Sequence, residues 1–335
     1  MKKRFIDLRL FDINYNTNVT TAGGMSPEMH TYYDKQLLED CKPNLIHGQF
    51  AQKRNIPKGN SKTINWRKFN ALGKALVPLE EGVTPNGQTA KVSKIEATAI
   101  QYGGYIATSD VLDLTSVDPV VLELEKLISN QASLTLDTVV RNAITAGTVV
   151  QYATNASGAE CASRSALTAT NKIKVDDILR AVRTLKRKNV PTIDGYYVAI
   201  IHPDNSYDLM RDPEFVEWHK YAKPEDLYEG EIGKIGKCRF VESSEAKIWK
   251  DESCPSGLAV YATLVFGADA YGDTEIEGGG LQLIVKPKGS GGTADPLDQR
   301  STVGWKAFKV ATILAEERIV RIESCSSYSD LAVAN

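Results

Sequence analysis

The residues able to move protons, hold metals or attack a carbonyl are few in this chain, and their spacing suits none of those tasks. The four histidines are His30, His47, His202 and His219, and none forms an H-E-x-x-H pair or another close metal-binding arrangement. His202 stands two residues before Asp204, and a carboxylate beside an imidazole can orient a general base. The same His202-Pro203-Asp204 also reads as a strand-to-helix junction, with the proline ending an apolar run and Asp204 capping the helix after it. That second reading is preferred; a hydrolytic site using His202 and Asp204 is kept as the enzyme alternative. The cysteines, Cys41, Cys161, Cys238, Cys254 and Cys325, include no pair a few residues apart. An odd, scattered set in a long chain gives neither zinc knuckle nor redox motif and fits a reducing compartment. No Gly-x-Ser-x-Gly elbow occurs. Gly59-Asn60-Ser61-Lys62-Thr63 has the residue types of a phosphate cradle in the wrong order, and Gly233 and Gly236 open no dinucleotide site. The expectation is a chain that is not an enzyme and uses no metal or cofactor.

Charge says little for a dedicated nucleic-acid binder. Lys plus Arg number 40 against 42 Asp plus Glu, a formal charge of -2, where such a binder would show a basic excess. Arg180, Arg183, Lys186, Arg187 and Lys188 do cluster, but without interleaved aromatics they read as a solvated helix face. Trp218, His219 and Tyr221 read as a packed loop or a subunit contact. With 42% hydrophobic and 24% charged residues the composition is that of an ordinary globular protein. Asp7, Arg9 and Asp12 interrupt any signal-peptide core behind the basic start, and no run of 18 apolar residues exists to span a membrane.

The elements around these residues carry more information. Residues 1–25 lack a clear period until Gly23-Gly24 and read as an extended arm. Ser26-Pro27-Glu28 opens a helix to about Asp40, stopped by Pro43. Residues 63–68 alternate with period two. Pro78, Gly82, Pro85 and Asn86-Gly87 punctuate the next stretch, and a strand pattern runs from Lys91 to Thr108. Together these predict a long two-stranded excursion, which is marginal in water unless a partner completes it. Asp118-Pro119 opens a helix whose apolar residues, among them Leu124, Ile128 and Ile144, keep helical spacing to Gly147. That is about 28 residues or roughly 42 Å. A second helix is expected from about Val175 to Asn189, acidic at its start and basic at its end as the helix dipole favours. Tyr196–Ile201 reads as a buried strand, followed by a short helix to Met210. Short strands are expected at 239–242, 258–267 and 281–286, with flexible tips at 278–280 and 289–292, then strands from Val303 to Leu314 and from Ile319 to Ile322 and a polar tail.

Much of this text is distinctive. Tyr33-Asp34-Lys35-Gln36-Leu37-Leu38-Glu39, Pro43-Asn44-Leu45-Ile46-His47 and Ala75-Leu76-Val77-Pro78-Leu79-Glu80-Glu81-Gly82-Val83-Thr84-Pro85 are followed by Gln101-Tyr102-Gly103-Gly104-Tyr105, His202-Pro203-Asp204, Gly267-Ala268-Asp269-Ala270-Tyr271-Gly272 and Gly304-Trp305-Lys306. In order and over nearly the whole chain this resembles the N-four-type family of phage major capsid proteins. The resemblance implies an α+β chain with the tailed-phage capsid fold, the HK-ninety-seven type. Its parts would be an N-terminal arm (1–55), an E-loop (56–108), a peripheral domain with a spine helix (109–189), an axial domain (190–295), and a return to the peripheral domain with a C-terminal tail (296–335). It implies a virion shell subunit, icosahedral or prolate, assembled in the host cytoplasm as hexamers and pentamers of itself. Portal and decoration proteins would be further partners, with weak non-specific contact to packaged DNA and none with a membrane. Only about 60 residues precede the ribbon, and the chain begins at Met1. Both suggest a separate scaffolding protein and no N-terminal processing. No Lys–Asn pair matches the covalent cross-link of some relatives by fold. An encapsulin-like compartment shell is the second alternative. Expected contacts between subunits are Phe5, Leu8, Phe11 and Tyr15 on the arm and Trp66, Arg67, Leu79, Glu81 and Val83 on the E-loop, with Gly278, Gly279 and Gly280 as an axial loop.

The arm generates a test. Its apolar residues cannot build a core of their own, and soluble monomers rarely leave such a stretch uncovered. Deleting residues 2–20 is expected to leave a folded subunit that assembles poorly or into fragile shells. Shells of unchanged yield and heat resistance would show that the arm is passive.

Overall fold

In the computed structural model the chain folds as two compact units, one comprising residues 1–43, 101–136 and 279–308, the other 44–100, 137–278 and 309–335. The structure describes residues 17–18, 46–59, 61–69, 72–78, 81–82, 84, 87–115, 120–155, 158–219, 233–290 and 295–335. The helix expected at 26–40 and most of the arm lie outside these. In chain order the strands are β1 (Thr17–Asn18), β2 (Gln52–Ile56), β3 (Thr63–Phe69), β4 (Val92–Thr98), β5 (Ile100–Ser109), β6 (Val150–Tyr152), β7 (Tyr197–Ile201), β8 (Lys234–Ile235), β9 (Cys238–Glu242), β10 (Ile248–Trp249), β11 (Val260–Phe266), β12 (Tyr271–Ile276), β13 (Gln282–Lys286), β14 (Arg300–Ile313) and β15 (Ile319–Ser324). The helices are α1 (Asp110–Thr115), α2 (Val120–Thr145), α3 (Val175–Arg187), α4 (Pro203–Met210) and α5 (Pro213–His219).

In the first unit the strands run in the order β1-β5-β14, with β13 on the other side of β14. Alternate residues of β5 and β14 face α2: Tyr102 and Ile106 join Val303, Trp305 and Ala307 against Ile128, Ala132 and Leu136. The two glycine-rich motifs explain themselves here. A Cβ on Gly103 would stand 2.7 Å from the Trp305 carbonyl oxygen, so only glycine lets β5 pass this close to β14. A Cβ on Gly104 would crowd Gln131 Oε1 at 3.0 Å and Trp305 Nε1 at 3.2 Å, the pair joined by an indole N–H bond of 3.3 Å.

The second unit is built on a sheet ordered β6-β15-β11-β7-β9-β8, with β10 beside β11. Its central strands β7 and β11 are buried along their whole length, as strands covered on both faces must be. Ala199 and Ile201 of β7 face Ile178, Ala181, Val182 and Leu185 of α3, while Val198 and Ile200 face Val140 and Ile144 at the end of α2. Also in this unit, β12 lies between β2, which it meets in parallel, and residues 310–313 of β14.

The elements match the sequence reading better than their grouping does. Helix α2 has 26 residues, close to the expected spine. The strand expected from Lys91 to Thr108 is broken at buried Ala99, whose N–H donates to the Lys62 carbonyl at 2.9 Å. Of the stretch expected as the axial domain, 190–295, residues 190–278 fall in the second unit and 279–295 in the first. Helix α3, expected in the peripheral domain with 109–174, packs on the sheet containing β7. The final strand β15, expected among peripheral elements, pairs with β11 in that same sheet. These pairings are set by partners far along the chain, which local patterning does not reveal.

His47, which closes the Pro43–His47 segment of the resemblance and has no expected role of its own, is fully buried beside the second half of α2. Its Nδ1 lies 2.7 Å from Asp137 Oδ2, its backbone N–H donates to Asp137 Oδ1 at 3.0 Å, and its carbonyl accepts from the Tyr271 hydroxyl at 2.6 Å. Three distant segments of the second unit meet at this one residue. Asp137→Ala would strand both the imidazole and an amide without water to replace the lost acceptor. A loss of about 3 kcal/mol is expected, measured as a lower urea midpoint at unchanged slope in the free subunit.

Candidate functional site

The one sequence pair with catalytic potential serves to cap a helix and tie it to the sheet. His202, not Asp204, caps α4: its Nδ1 accepts from the Asp204 N–H at 3.1 Å, with Pro203 at the first helical position. This corrects the expected cap assignment, because the imidazole reaches the orphan amide that the Asp204 side chain leaves. The Asp204 carboxylate instead accepts from the Tyr261 hydroxyl at 2.7 Å. Burial, outweighing the nearby Asp204, holds the His202 pKa below the ordinary histidine value, which favours the neutral ring a cap acceptor requires. The ring nitrogen nearest the carboxylate is therefore already bonded. Gly59 sits in a turn between β2 and β3 with no helix following, so the sequence around it cradles no phosphate. Among the described residues no group of three His, Cys, Asp or Glu side chains could hold a metal ion, and no helix is long and apolar enough to cross a membrane.

The surfaces available for contact are of another kind. Strands β3 and β4 form a separate two-stranded sheet, with Thr63 opposite Thr98 and Phe69 opposite Val92. Its base is fixed to the second unit, of which it is part. Trp66 is only 4% exposed, and a Cβ on Gly272 would meet its ring at 2.9 Å, so the absence of a side chain at residue 272 makes the indole's seat. Lys68 Nζ pairs with Glu317 Oε1 at 2.7 Å. Away from the base the ribbon is uncovered. Phe69, Leu72 and Val92 are exposed, Leu76 is 80% and Val77 85% exposed. Apolar side chains gathered on one projection in this way are rarely left to solvent by a monomer.

The expected contact residues separate accordingly. Arg67 and Glu81 are exposed on the ribbon, while Leu79 and Val83 lie outside the described residues. The expectation that Trp66 touches a neighbour is corrected: its burial in its own chain makes it the ribbon's anchor. Phe5, Leu8, Phe11 and Tyr15 of the arm lie outside the described residues; its one described piece, β1, pairs in parallel with β5 through Thr17 opposite Ala107. Gly278 takes a φ of 77°, in the left-handed region that favours glycine, and closes the second unit's middle segment, while Gly279 and Gly280 belong to the first unit. The Gly279 carbonyl accepts from Phe308 N–H at 2.8 Å. The basic residues Arg183, Lys186 and Arg187 of α3 border a groove of about 450 Å³ beside Gly236, whereas Arg180 is paired with Glu160.

Removing the anchor should free the ribbon. Trp66→Ala is expected to cost about 3–5 kcal/mol, as large-to-small changes at buried aromatics do. In the free subunit it should speed proteolytic nicking between Glu81 and Gln88. An unchanged cleavage rate would show that the indole does not hold the ribbon.

Comparison with known proteins identifies the family and the fold. A family model described as phage capsid protein matches residues 92–322, more than half of the chain. No curated protein matches the sequence. Among solved structures, the capsid of the cyanophage P-SCSP1u is similar at a TM-score of 0.66 and 15% identity, covering 95% of this chain and 98% of that one. The capsid of Ralstonia phage GP4 is similar at a TM-score of 0.65 and 12% identity, over 92% and 98% of the two chains. The structure of Mycobacterium phage Che8 is similar at 0.59 and 10%, over 87% and 96%. At such identities the structures speak for the fold, the tailed-phage capsid fold of HK-ninety-seven type, and the family match speaks for the chain. This chain belongs to the phage capsid protein family and is a structural component of the virion shell.

Proposed function

We propose that the protein is the major shell subunit of an N-four-type phage head, closing it as hexamers and pentamers through its ribbon and its N-terminal arm. The observation that carries this reading is the ribbon: anchored by Trp66 at its base, yet bearing Phe69, Leu72, Leu76, Val77 and Val92 uncovered. A two-stranded ribbon is marginal alone, and burial against a neighbour removes that instability. Arg67, Leu79, Glu81 and Val83 would make these contacts beside the apolar residues, and Phe5, Leu8, Phe11 and Tyr15 those of the arm. The sheet built on β7 and β11 would take the axial position, with Gly278, Gly279 and Gly280 near it. A separate scaffolding protein, a portal and a decoration protein complete the proposed set of partners, assembly taking place in the host cytoplasm. The near-neutral charge suits weak, non-specific contact with packaged DNA.

Electron microscopy of the purified protein, alone and after co-expression with its scaffolding protein, is expected to show closed polyhedral shells. In them the bonds between Glu81 and Gln88, cut in the free subunit, should resist protease. A monodisperse small species under both conditions, or equal cleavage in subunit and shell, would overturn the reading.

A further inference from the structure

Among the described residues the first unit's sheet ends at β13. β13 pairs with β14 along one side, Gln282 opposite Lys306 through Lys286 opposite Thr302, and among the described residues no strand pairs with its other side. Leu283 stands opposite Trp305 and Val285 opposite Val303, so the two lie on the face of the sheet that α2 covers at β14. At β13 that cover is only partial: Leu281, Leu283 and Val285 are 49%, 47% and 45% exposed. The strand carries no proline and a single charge, Lys286 at its end. Soluble proteins blunt an edge of this kind with charges, prolines or bulges, because its outward N–H and C=O groups template the addition of another strand. The site therefore asks for an extended segment with alternate apolar residues, which would continue both the hydrogen-bond ladder and the apolar layer.

The same chain carries such a segment. Within an arm that keeps no clear period as a whole, the short window Ile6-Asp7-Leu8-Arg9-Leu10 alternates, three apolar residues on one side to match Leu281, Leu283 and Val285 and two charged residues on the other. We propose that the outer edge of β13 receives residues 6–10 of a second copy's arm as an added strand. The inference rests on the reading of the chain as a shell subunit whose arm engages a neighbour, and adds where the arm docks. A second copy is favoured over the chain's own arm by the position of β1. β1 holds Thr17 against Ala107 at the opposite margin of this sheet, with β5 and β14 between it and β13. That separation is about 14 Å at three strand spacings. Residues 11–16 of the same chain would have to cross a face of the sheet before residues 6–10 could lie along its far edge. An arm arriving from outside meets no such obstacle.

The test uses the full chain. Subunits carrying Leu8→Cys are mixed with subunits carrying Leu283→Cys, assembled into shells and oxidised, with wild-type shells as the background for the natural cysteines. A dimer containing one subunit of each kind, well above that background, is expected. Ile6→Cys and Leu10→Cys against Val285→Cys supply second pairs and give the strand's direction. Shells that form without any of these bridges overturn the inference and leave shell assembly intact. So does a ribbon variant, Leu76→Cys, bridging Leu283→Cys in place of the arm, or a chain carrying both Leu8→Cys and Leu283→Cys that closes on itself in the free subunit. Failure of wild-type subunits to form shells at all would overturn the reading on which the inference rests, and the inference with it.

Discussion

Two strands paired only with each other have two faces and two edges, and neither strand can cover the other's faces. The β3–β4 ribbon lives under that constraint, and the second unit meets it at the ribbon's base. Its base is locked where a missing side chain at Gly272 admits the Trp66 ring, and again where Lys68 meets Glu317. Beyond those points Leu76 and Val77 stand almost wholly in solvent. Locking the base fixes the direction of the rest, so on the proposed reading part of the ribbon's ordering entropy is lost before a neighbour arrives. A ribbon that swung freely would lose more of its contact energy to ordering at each docking event.

The interior shows the opposite arrangement. Several buried charged and polar groups are bound into pairs: His47 with Asp137 and Tyr271, Lys309 with Asp273 at 2.7 Å and Glu275 at 2.8 Å, Arg164 with Glu323 through two bonds of 2.7 Å. Such pairs add little net stability over apolar packing, but each is costly to break singly, so they oppose rearrangement. A subunit that must present the same surfaces to every neighbour gains from that stiffness more than from a higher melting point.

The sequence revealed elements whose cause is local. α2 could be read from its apolar spacing, the ribbon from period-two alternation interrupted by Pro and Gly, and α3 from the acidic residues at its start and the basic ones at its end. It did not reveal pairings whose cause is distant. β2 meets β12 in parallel across more than two hundred residues, and β15 pairs with β11 past an intervening segment that belongs partly to the other unit. The errors at single residues have the same origin. Trp66 lies in the same period-two run as its exposed neighbours, and its ring fits where residue 272 is glycine; the cap expected of Asp204 is made by His202, while Tyr261, from β11, takes the carboxylate. The glycines at 103, 104 and 304 are visible as motifs, but their meaning lies in the backbone and side-chain atoms of the neighbouring elements that they admit.

Surfaces left open and charges left nearly balanced belong to one physical problem. A formal charge of -2 gives subunits no strong mutual repulsion, so short-range contacts decide whether two copies stay together. On the proposed reading those contacts are made by exposed side chains such as Leu76, Val77 and Leu283, each contributing roughly 1.5–3 kcal/mol when fully buried, against ordering costs of similar size. A single pairwise contact of this kind is weak and reversible. A misplaced subunit satisfies fewer of them and leaves, whereas one placed correctly satisfies them on several sides at once. Closure of a symmetric shell multiplies the small surplus at each contact by the number of contacts, and stability then belongs to the assembly more than to any pair.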